Sequence, residues 1–451
     1  MKRSVRIGSG AGWARDRLEP AVALAEHGDI DYLCFDSMSE VTMSAAQVAR
    51  MERPENEPYD PYLVERMRLI LPACHRNKVR IVTNQGWLDP AAAGRKVAEV
   101  AAELGIHGMK IAIVDCNDLN AIITDLGVSF IEDGELVSRS RERIVSAEAY
   151  LGAAGIIEGL AMGADIVITT RIADGCLYLG PLAHELGWDI DDPSLAARGM
   201  IIGHLMECGA QVSGGYFADP GYKFVPGLSD IGNPIVEVTD DRTILTKLSG
   251  TGGVVSPATC KEQLLYEVED PANYICPDCI ADLTRVSFEQ IGVDRVEVVI
   301  DDAGKPRTPY LKALIGLREG FMTEEMVIFA GPGALDRARL TQSILEDRFR
   351  TIDLKATALR FDYIGLNAVH REATPASSHD PHEVVLRIAL QTAEKAEAEK
   401  LRREIDPLAV NGVAGTGKWS TSTPGSRVRP VVGLNSCLIP RDTVKVSVEM
   451  L

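Results

Sequence analysis

Residues 79–104 read VRIVTNQGWLDPAAAGRKVAEVAAEL, and this stretch decides the fold class. Val79–Thr83 is a short apolar run that ends at Asn84 and Gly86, which is typical of a buried strand. The Ala-rich segment Pro90–Leu104 that follows is typical of a helix. A buried strand followed by a helix is the unit from which parallel sheets are built.

The same alternation extends over the first half of the chain. Arg15–His27 predicts a second helix. Further strands are predicted at Ser4–Ile7, Asp31–Phe35, Met109–Val114 and Gly163–Thr169. The clear repeats are too few for an eightfold barrel. We therefore predict an α/β fold with a mostly parallel open sheet and helices on both faces.

Polar residues follow most of these strands. Asp36, Asn84, Asp115 and Arg171 each stand at or just after a predicted carboxyl end. Ligands of open α/β sheets bind in the crevice outside those ends. We expect these four side chains to line one edge of the sheet.

The regular alternation of strand and helix does not continue in the second half of the chain. Its predicted strands are Pro234–Val238, Val296–Ile300, Met326–Ala330, Leu359–Ile364 and Val444–Val448, and its predicted helices are Gly333–Leu345 and Glu383–Glu404. With 451 residues the chain exceeds the size of one core, so at least two domains are expected. We predict a Rossmann-like α/β domain over 1–233 and an α+β domain over 234–451.

Composition excludes several classes of protein. The formal net charge is −18, and without a basic patch this balance disfavours nucleic-acid binding. The amino terminus lacks the apolar core of a signal peptide, and no apolar run is long enough to span a membrane. Nine scattered cysteines are expected to be reduced thiols. A cytoplasmic protein is the expectation.

The segment GSGAGW at residues 8–13 lies between a predicted strand and helix. It does not fit the dinucleotide motif, because Trp13 stands where the third glycine belongs. Two interpretations remain open. Gly10 and Gly12 form a tight turn that offers backbone N–H groups to a small anion, or the segment is an ordinary connection.

The segment GVAGTGK at residues 412–418 has P-loop spacing, but Trp419 replaces the hydroxyl residue that would hold Mg²⁺. No long helix is predicted after it, so ATP hydrolysis is disfavoured. Two interpretations remain open, of which the first is a loop that binds a carboxylate or phosphate. It would act through Gly415, Thr416, Gly417 and Lys418. The second is a structural turn.

A third glycine-rich segment comprises Gly250, Thr251, Gly252 and Gly253. Such residues allow a close approach of the backbone to a ligand and can form an anion-binding nest. A glycine-rich hairpin is the alternative.

Two segments carry the candidate catalytic residues. Arg171 is suited to bidentate recognition of a carboxylate, and Asp174 could pair with it or act as a base, although a plain ion pair is the alternative. If residues 203–215 begin as a helix, His204 and Cys208 share a face with Glu207 beside it. Glu207 is the preferred acid or base, and Cys208 a less favoured nucleophile.

Cys276 and Cys279 form a CxxC pair. A structural zinc site needs four ligands, and no second CxxC exists, although His204 and Cys208 could complete a set. A thioredoxin-like role would need the pair to stand at the start of a helix that follows a strand. We interpret the two as incidental thiols and predict no metal.

Six segments in order carry a family resemblance. They are FDSMSEVTM at residues 35–43, TTRIADGCLYLGPL at 169–182, GHLMECGAQVSGGYF at 203–217, KLSGTGGVVS at 247–256, FDYIGLNAVH at 361–370 and VNGVAGTGKW at 410–419. Together they resemble the acyclic terpene utilisation family, the AtuA-like proteins, over essentially the whole chain.

The resemblance implies a catabolic role beside acyl-CoA carboxylases, CoA transferases or dicarboxylate metabolism. The family's namesake is associated with the breakdown of citronellol and geraniol. Longer relatives carry a further carboxyl-terminal ferredoxin-like domain. We expect that a separate small protein supplies this domain here, or that it is dispensable.

The favoured hypothesis is a cofactor-independent hydratase or dehydratase that acts on a small branched or unsaturated carboxylate or its CoA thioester. Arg171 and the glycine loops would hold the acid group. Glu207 or Asp174 would move the proton, Asn84 or the Gly252 amide would stabilise the enolate-like charge, and Asp36 would contribute to catalysis.

The alternatives are a non-catalytic acyl-CoA-binding or scaffold subunit and, less favoured, a nicotinamide dehydrogenase. No cofactor is predicted, and CoA would enter only as part of the substrate. We further expect a homo-oligomer that binds neither nucleic acid nor membrane.

Overall fold

The structure is a computed structural model that describes residues 4–375, 381–418 and 428–451. Its strands are β1 Val5–Ala11, β2 Tyr32–Phe35, β3 Arg80–Thr83, β4 Ile111–Cys116, β5 Ile144–Ala149, β6 Ile166–Thr169, β7 Pro234–Val238, β8 Thr243–Lys247, β9 Tyr274–Ile275, β10 Ile280–Ala281, β11 Val286–Gly292, β12 Arg295–Ile300, β13 Gly304–Lys305, β14 Tyr310–Ala330, β15 Ala358–Ile364, β16 Glu383–Thr392, β17 Gly417–Lys418, β18 Arg429–Pro440 and β19 Val446–Met450.

Its helices are α1 Glu19–His27, α2 Glu40–Glu52, α3 Leu63–Asn77, α4 Pro90–Glu103, α5 Ala154–Ala161, α6 Cys176–Leu186, α7 Pro193–Glu207, α8 Pro257–Leu264, α9 Ala334–Thr351, α10 Lys395–Ile405 and α11 Leu408–Asn411.

The chain forms two compact units. The first comprises residues 1–46, 55–315 and 434–451, and the second comprises 47–54 and 316–433. The boundary that we predicted at residue 234 does not separate these units. β7 pairs antiparallel with β1, and β8 and β12 continue the same sheet.

The main sheet of the first unit has the order β11-β12-β8-β7-β1-β2-β3-β6-β4-β19. Its five central strands, β1 to β4 and β6, are parallel. The strands on both sides of them pair antiparallel, with β7 next to β1 and β19 next to β4. A mixed α/β sheet is therefore present, and it is less parallel than the sequence predicted.

Helices cover both faces of this sheet, as predicted. Leu33 of β2 packs in a core cluster with residues of α1, α3 and α4. The next residue, Cys34, donates its thiol hydrogen to the carbonyl of Leu177 in α6 (3.2 Å). Because successive strand residues point to opposite faces, α6 lies on the face opposite α1 and α3.

The second unit contains a smaller antiparallel sheet of order β15-β16-β14-β17. The chain passes through it as β14-α9-β15-β16-α10-β17, which is the split βαβ connectivity of ferredoxin-like folds. The core of this unit includes Phe329, Leu345, Leu386 and Leu401. This connectivity, which the resemblance placed in a further domain or a separate chain, therefore also occurs within residues 316–433.

The helix that we predicted over Glu383–Glu404 is wrong in its first half. Residues 383–392 form β16, which is paired on one side with β14 and on the other with β15. Val384, Leu386, Ile388 and Leu390 are buried, and this spacing of two residues is the period of a strand. Only α10 is helical. Within the described ranges, no helix is long and apolar enough to cross a membrane.

Candidate acid–base site

A cleft of about 420 Å³ opens at the carboxyl ends of β1, β2 and β6, beside the end of α7. It is lined by Gly12, Trp13, Arg15, Asp16, Asp36, Ser39, Asp174, Glu207, Cys208, Ala210, Gln211, Gly215, Tyr216, Tyr266 and Glu267. All of these residues belong to the first unit. The structure thus brings Gly12, Asp36 and Asp174 together with the adjacent pair Glu207 and Cys208, although these four parts of the chain lie far apart in the sequence.

Asp36 directly follows β2, and its carboxyl group is held by the side chain of Asn84, which directly follows β3. The Asn84 side-chain amide donates to Asp36 Oδ1 (2.6 Å) and its oxygen accepts the Ser37 N–H (2.8 Å). Asn84 is fully buried, so its role in the structure is to orient Asp36. Burial raises the pKa of Asp36 well above its ordinary value, and the nearby Asp174 raises it further.

Arg171 lies beneath the cleft and does not line it. Its Nη1 donates to Asp174 Oδ1 (2.6 Å) and to the carbonyl of Met38, and its guanidinium stacks on the Tyr150 ring at 4.1 Å from the centroid. Burial lowers the pKa of Arg171, but Asp174 and Tyr150 outweigh burial and the net shift is upward. The structure therefore gives Arg171 the role of counter-ion, and the direct carboxylate clamp that we expected is not formed in this geometry.

Glu207, the last residue of α7, forms a buried pair with His204 one turn earlier. Glu207 Oε1 lies 2.8 Å from His204 Nδ1, and His204 Nε2 lies 3.1 Å from the Leu264 carbonyl. A carbonyl only accepts, so Nε2 carries a hydrogen, and one further proton must lie between Nδ1 and Oε1. Burial raises the pKa of Glu207, and His204 offsets this only in part.

Cys208 follows α7 and lines the cleft, but its surroundings disfavour a thiolate. Burial raises the pKa of its thiol, and the adjacent Glu207 acts in the same direction. The preference for Glu207 over Cys208 as the reacting group stays a prediction.

The glycines of the first loop serve close packing. Gly8 and Gly10 lie inside β1, so the predicted turn at these residues is wrong. A Cβ on Gly10 would lie 2.3 Å from the Phe35 ring, and a Cβ on Gly12 would lie 2.2 Å from the backbone carbon of Cys208. The Gly12 N–H already donates to Asp16 Oδ2 (3.0 Å), so it is not free to bind an anion.

The segment Gly250–Gly253 lies outside the cleft, and three of its four N–H groups, those of Thr251, Gly252 and Gly253, are already bonded. Gly252 donates to the carbonyl of Asp230 and Gly253 to that of Pro226, each at 2.7 Å. The Thr251 hydroxyl donates to the Leu248 carbonyl (2.7 Å). The predicted anion nest, and the Gly252 amide as an enolate stabiliser, are therefore not supported.

Gly415, Thr416, Gly417 and Lys418 belong to the second unit, whereas the cleft is built from the first. Gly417 and Lys418 form β17, which pairs with β14, and the Thr416 hydroxyl donates to the Val413 carbonyl (2.7 Å). These contacts agree with the second interpretation of this segment, a structural turn. Trp419, named in the same motif, lies outside the described residues.

Asp115 is in β4 opposite Ser447 of β19, and it does not line the cleft. Its neighbour there is Glu148, whose pKa is raised to about 8 by burial and by the charges of Asp115 and Asp118. Of the four strand-end residues that we expected at one edge, only Asp36 lines the cleft, with Asn84 and Arg171 directly behind its surface.

The charge of the cleft opposes the anionic metabolite that we expected. Its lining carries the five carboxyl groups of Asp16, Asp36, Asp174, Glu207 and Glu267, with Arg15 as the one basic residue among the lining side chains described. Like charges this close disfavour a free carboxylate as ligand. In the described residues no group of three or more His, Cys, Asp or Glu side chains is arranged to hold a metal ion.

Sequence reasoning missed the aromatic wall of the cleft. Trp13 is half exposed, and Tyr216 and Tyr266 contact each other edge to face with ring centroids 6.2 Å apart. These rings give the acidic cleft an apolar side. Tyr216 and Glu267 also have left-handed backbone conformations (φ 61° and 58°), and nothing in the residue types alone predicts this.

The comparisons with known proteins give one match. A family model described as "Acyclic terpene utilisation family protein AtuA" matches residues 5–450. No curated protein and no solved structure matches the chain. The six ordered segments that suggested this resemblance are thus confirmed by a match over nearly the whole chain.

Proposed function

Because this chain belongs to the acyclic terpene utilisation family AtuA, we propose that it is an acid–base enzyme of acyclic terpene breakdown, of the hydratase or dehydratase type. The observation that carries the proposal is the convergence of Asp36, Asp174 and Glu207 in one cleft with unequal surroundings. Carboxyl groups whose environments push their proton affinities apart are the usual mark of an acid and a base in one site.

The roles follow from the neighbours of each group. Asp174 is the anionic partner of the buried Arg171 (2.6 Å), so it is the base that removes a proton from carbon. Glu207 shares a proton with His204, so it is the acid that protonates a departing hydroxyl, or the group that activates water in the reverse direction. Asp36, oriented by Asn84, supplies a second protonated carboxyl for hydrogen bonding to the substrate carbonyl.

The lining supports an uncharged reacting group. The carboxyl-rich lining favours an uncharged ligand over a free acid, and Trp13, Tyr216 and Tyr266 offer an apolar surface to a hydrocarbon chain. We therefore propose a branched, unsaturated thioester as substrate, with the free acid as the poorer form. Any CoA moiety would carry its phosphates outside this cleft.

The test is turnover of a panel of branched unsaturated thioesters by the wild-type protein and by single variants. Glu207→Gln and Asp174→Asn should each lower kcat by about 10²–10⁴-fold, the usual contribution of general acid–base groups. Asp115→Asn is the matched control, because this carboxyl also lies at the end of a central strand but outside the cleft. It should keep wild-type activity.

Full turnover by both Glu207→Gln and Asp174→Asn would refute the assignment of roles. Tight binding of a thioester without turnover by any form, wild type included, would instead favour a non-catalytic binding subunit.

A further inference from the structure

We propose that Cys276 and Cys279 form a dithiol–disulfide site that closes by exchange with low-molecular-weight disulfides such as glutathione disulfide. The pair lies in the hairpin formed by β9 and β10 and is separated by Pro277 and Asp278. All nine cysteines of the chain are free in the structure. The proposal is independent of the chemistry proposed for the cleft.

The hairpin register places the two cysteines opposite each other. Ile275 pairs with Ile280, and one step towards the turn the Cys276 N–H donates to the Cys279 carbonyl (2.9 Å). In a hydrogen-bonded antiparallel pair the Cα atoms are about 5.5 Å apart. That Cα spacing lies within the range of disulfides, and side chains of opposed residues lie on one face, so closure needs only a local adjustment of the hairpin that brings the two Cβ atoms closer.

The thiols already interact. A hydrogen bond to Cys279 is the first cause that raises the pKa of Cys276, with burial second. The Cys276 thiol also donates to the Tyr274 carbonyl (3.7 Å).

The exchange needs only the two cysteines and one small disulfide as reactants. One cysteine thiolate attacks the small disulfide, forms a mixed disulfide and releases one small thiolate. The second cysteine, as its thiolate, attacks the sulfur of the first and releases the other small thiol. The protein loses two hydrogens and two electrons, and the small disulfide becomes two thiols.

Access comes from the size of the hairpin. Both thiols are buried, but β9 and β10 have only two residues each and Ile275 is exposed. Such short pairings open locally at little cost in free energy. Reaction at this site is therefore expected to be slow but to proceed without global unfolding.

The hairpin is also in contact with the candidate site. The Tyr274 hydroxyl lies 3.5 Å from His204 Nδ1, and the two rings are 5.0 Å apart between centroids. Within the turn, Asp278 accepts the Ala153 N–H (2.9 Å) and the Cys176 thiol hydrogen (3.3 Å). The hairpin that carries the dithiol therefore contacts His204 of the Glu207–His204 pair through Tyr274.

The experiment incubates the native full chain with glutathione disulfide at pH 8, quenches it with acid and counts thiols after denaturation. The count should fall by two from nine, and peptide mass spectrometry should show Cys276 joined to Cys279. Cys276→Ser and Cys279→Ser should each prevent the internal disulfide. Cys74→Ser, which removes an isolated buried cysteine on α3, should not prevent it. Circular dichroism confirms that each variant is folded.

Three results would overturn the proposal. The first is a thiol count that stays at its starting value while the protein is native. The second is a disulfide that joins Cys176 to either cysteine of the pair. The third is closure that occurs only in denaturant strong enough to abolish the circular dichroism of the fold.

Discussion

Arg171→Met should destabilise the first unit, and the loss should grow with pH. The side chain of Arg171 is 3% exposed and that of Asp174 is 30% exposed, so the variant leaves a carboxylate beside Asp36 without its cation. Removing one partner of a buried ion pair costs about 3–5 kcal/mol, and the partial exposure of Asp174 places the expected loss near the lower figure, about 3 kcal/mol.

The sign of the pH dependence follows from proton binding. In the variant the folded-state pKa of Asp36, which is already raised, rises further above its unfolded value. The folded protein then binds more protons than the unfolded chain, so stability falls as the pH rises from the unfolded pKa of about 4 towards the folded value. Wild type shares this fall up to its own Asp36 pKa, so the extra deficit of the variant begins only above that value and grows with pH from there.

The assay is urea denaturation followed by tryptophan fluorescence. Trp13, Trp87 and Trp188 all lie in the first unit and report on it. With a denaturant slope of about 3 kcal/mol/M, a loss of about 3 kcal/mol moves the midpoint down by about 1 M. The double variant Arg171→Met with Asp174→Asn should recover part of the loss, because the unpaired carboxylate is gone. An unchanged midpoint at pH 8, or a loss that shrinks as the pH rises, would refute this account of Arg171.

Three further predictions test other parts of the first unit. Gly12→Ala should cost about 1–3 kcal/mol and reshape the cleft, because its Cβ would meet backbone atoms of Cys208 that cannot rotate away. Urea denaturation measures the loss, and Gly292→Ala, whose Cβ would meet Arg295 atoms only at 3.7 and 3.8 Å, is the control without a clash. His204→Asn should move the Glu207-dependent limb of the pH–rate profile to higher pH, since His204 lowers the pKa of Glu207; a limb that stays in place would contradict the shared proton. Glu148→Gln should raise the Tm at pH 9 but not at pH 4, because the pKa of about 8 makes the charged form unfavourable in the folded state; equal gains at both pH values would show that charge is not the cause.

Apolar periodicity predicted most elements of the first unit. β2, β3 and β7 fall within two residues of their predicted bounds, and α4 ends one residue before the predicted Leu104. Periodicity failed at Glu383–Thr392, where a run of apolar and charged residues suits a helix as well as a strand. Pairing with strands on both sides decided that case, and pairing is not a local property.

The candidate site was predicted in part. Asp36, Asp174 and Glu207 were found because carboxyl ends of parallel strands meet at one edge, and Glu207 because it lies in the densest polar segment. The glycine loops were misjudged. The prediction treats each glycine as a free backbone donor, but whether an N–H is free depends on which carbonyl packs against it, as the carbonyl of Asp230 does at Gly252.

The sequence by itself determined the family, the buried strand–helix core and the residue types that carry acid–base chemistry, since these depend on local pattern and on the order of motifs. Only the tertiary structure decided that strands from Pro234 onward extend the first sheet and that Arg171 is paired with Asp174. It also decided that the cleft is acidic and has one aromatic wall. Those features depend on distances between residues far apart in the chain, and Coulomb energy, burial and hydrogen bonding all vary with such distances.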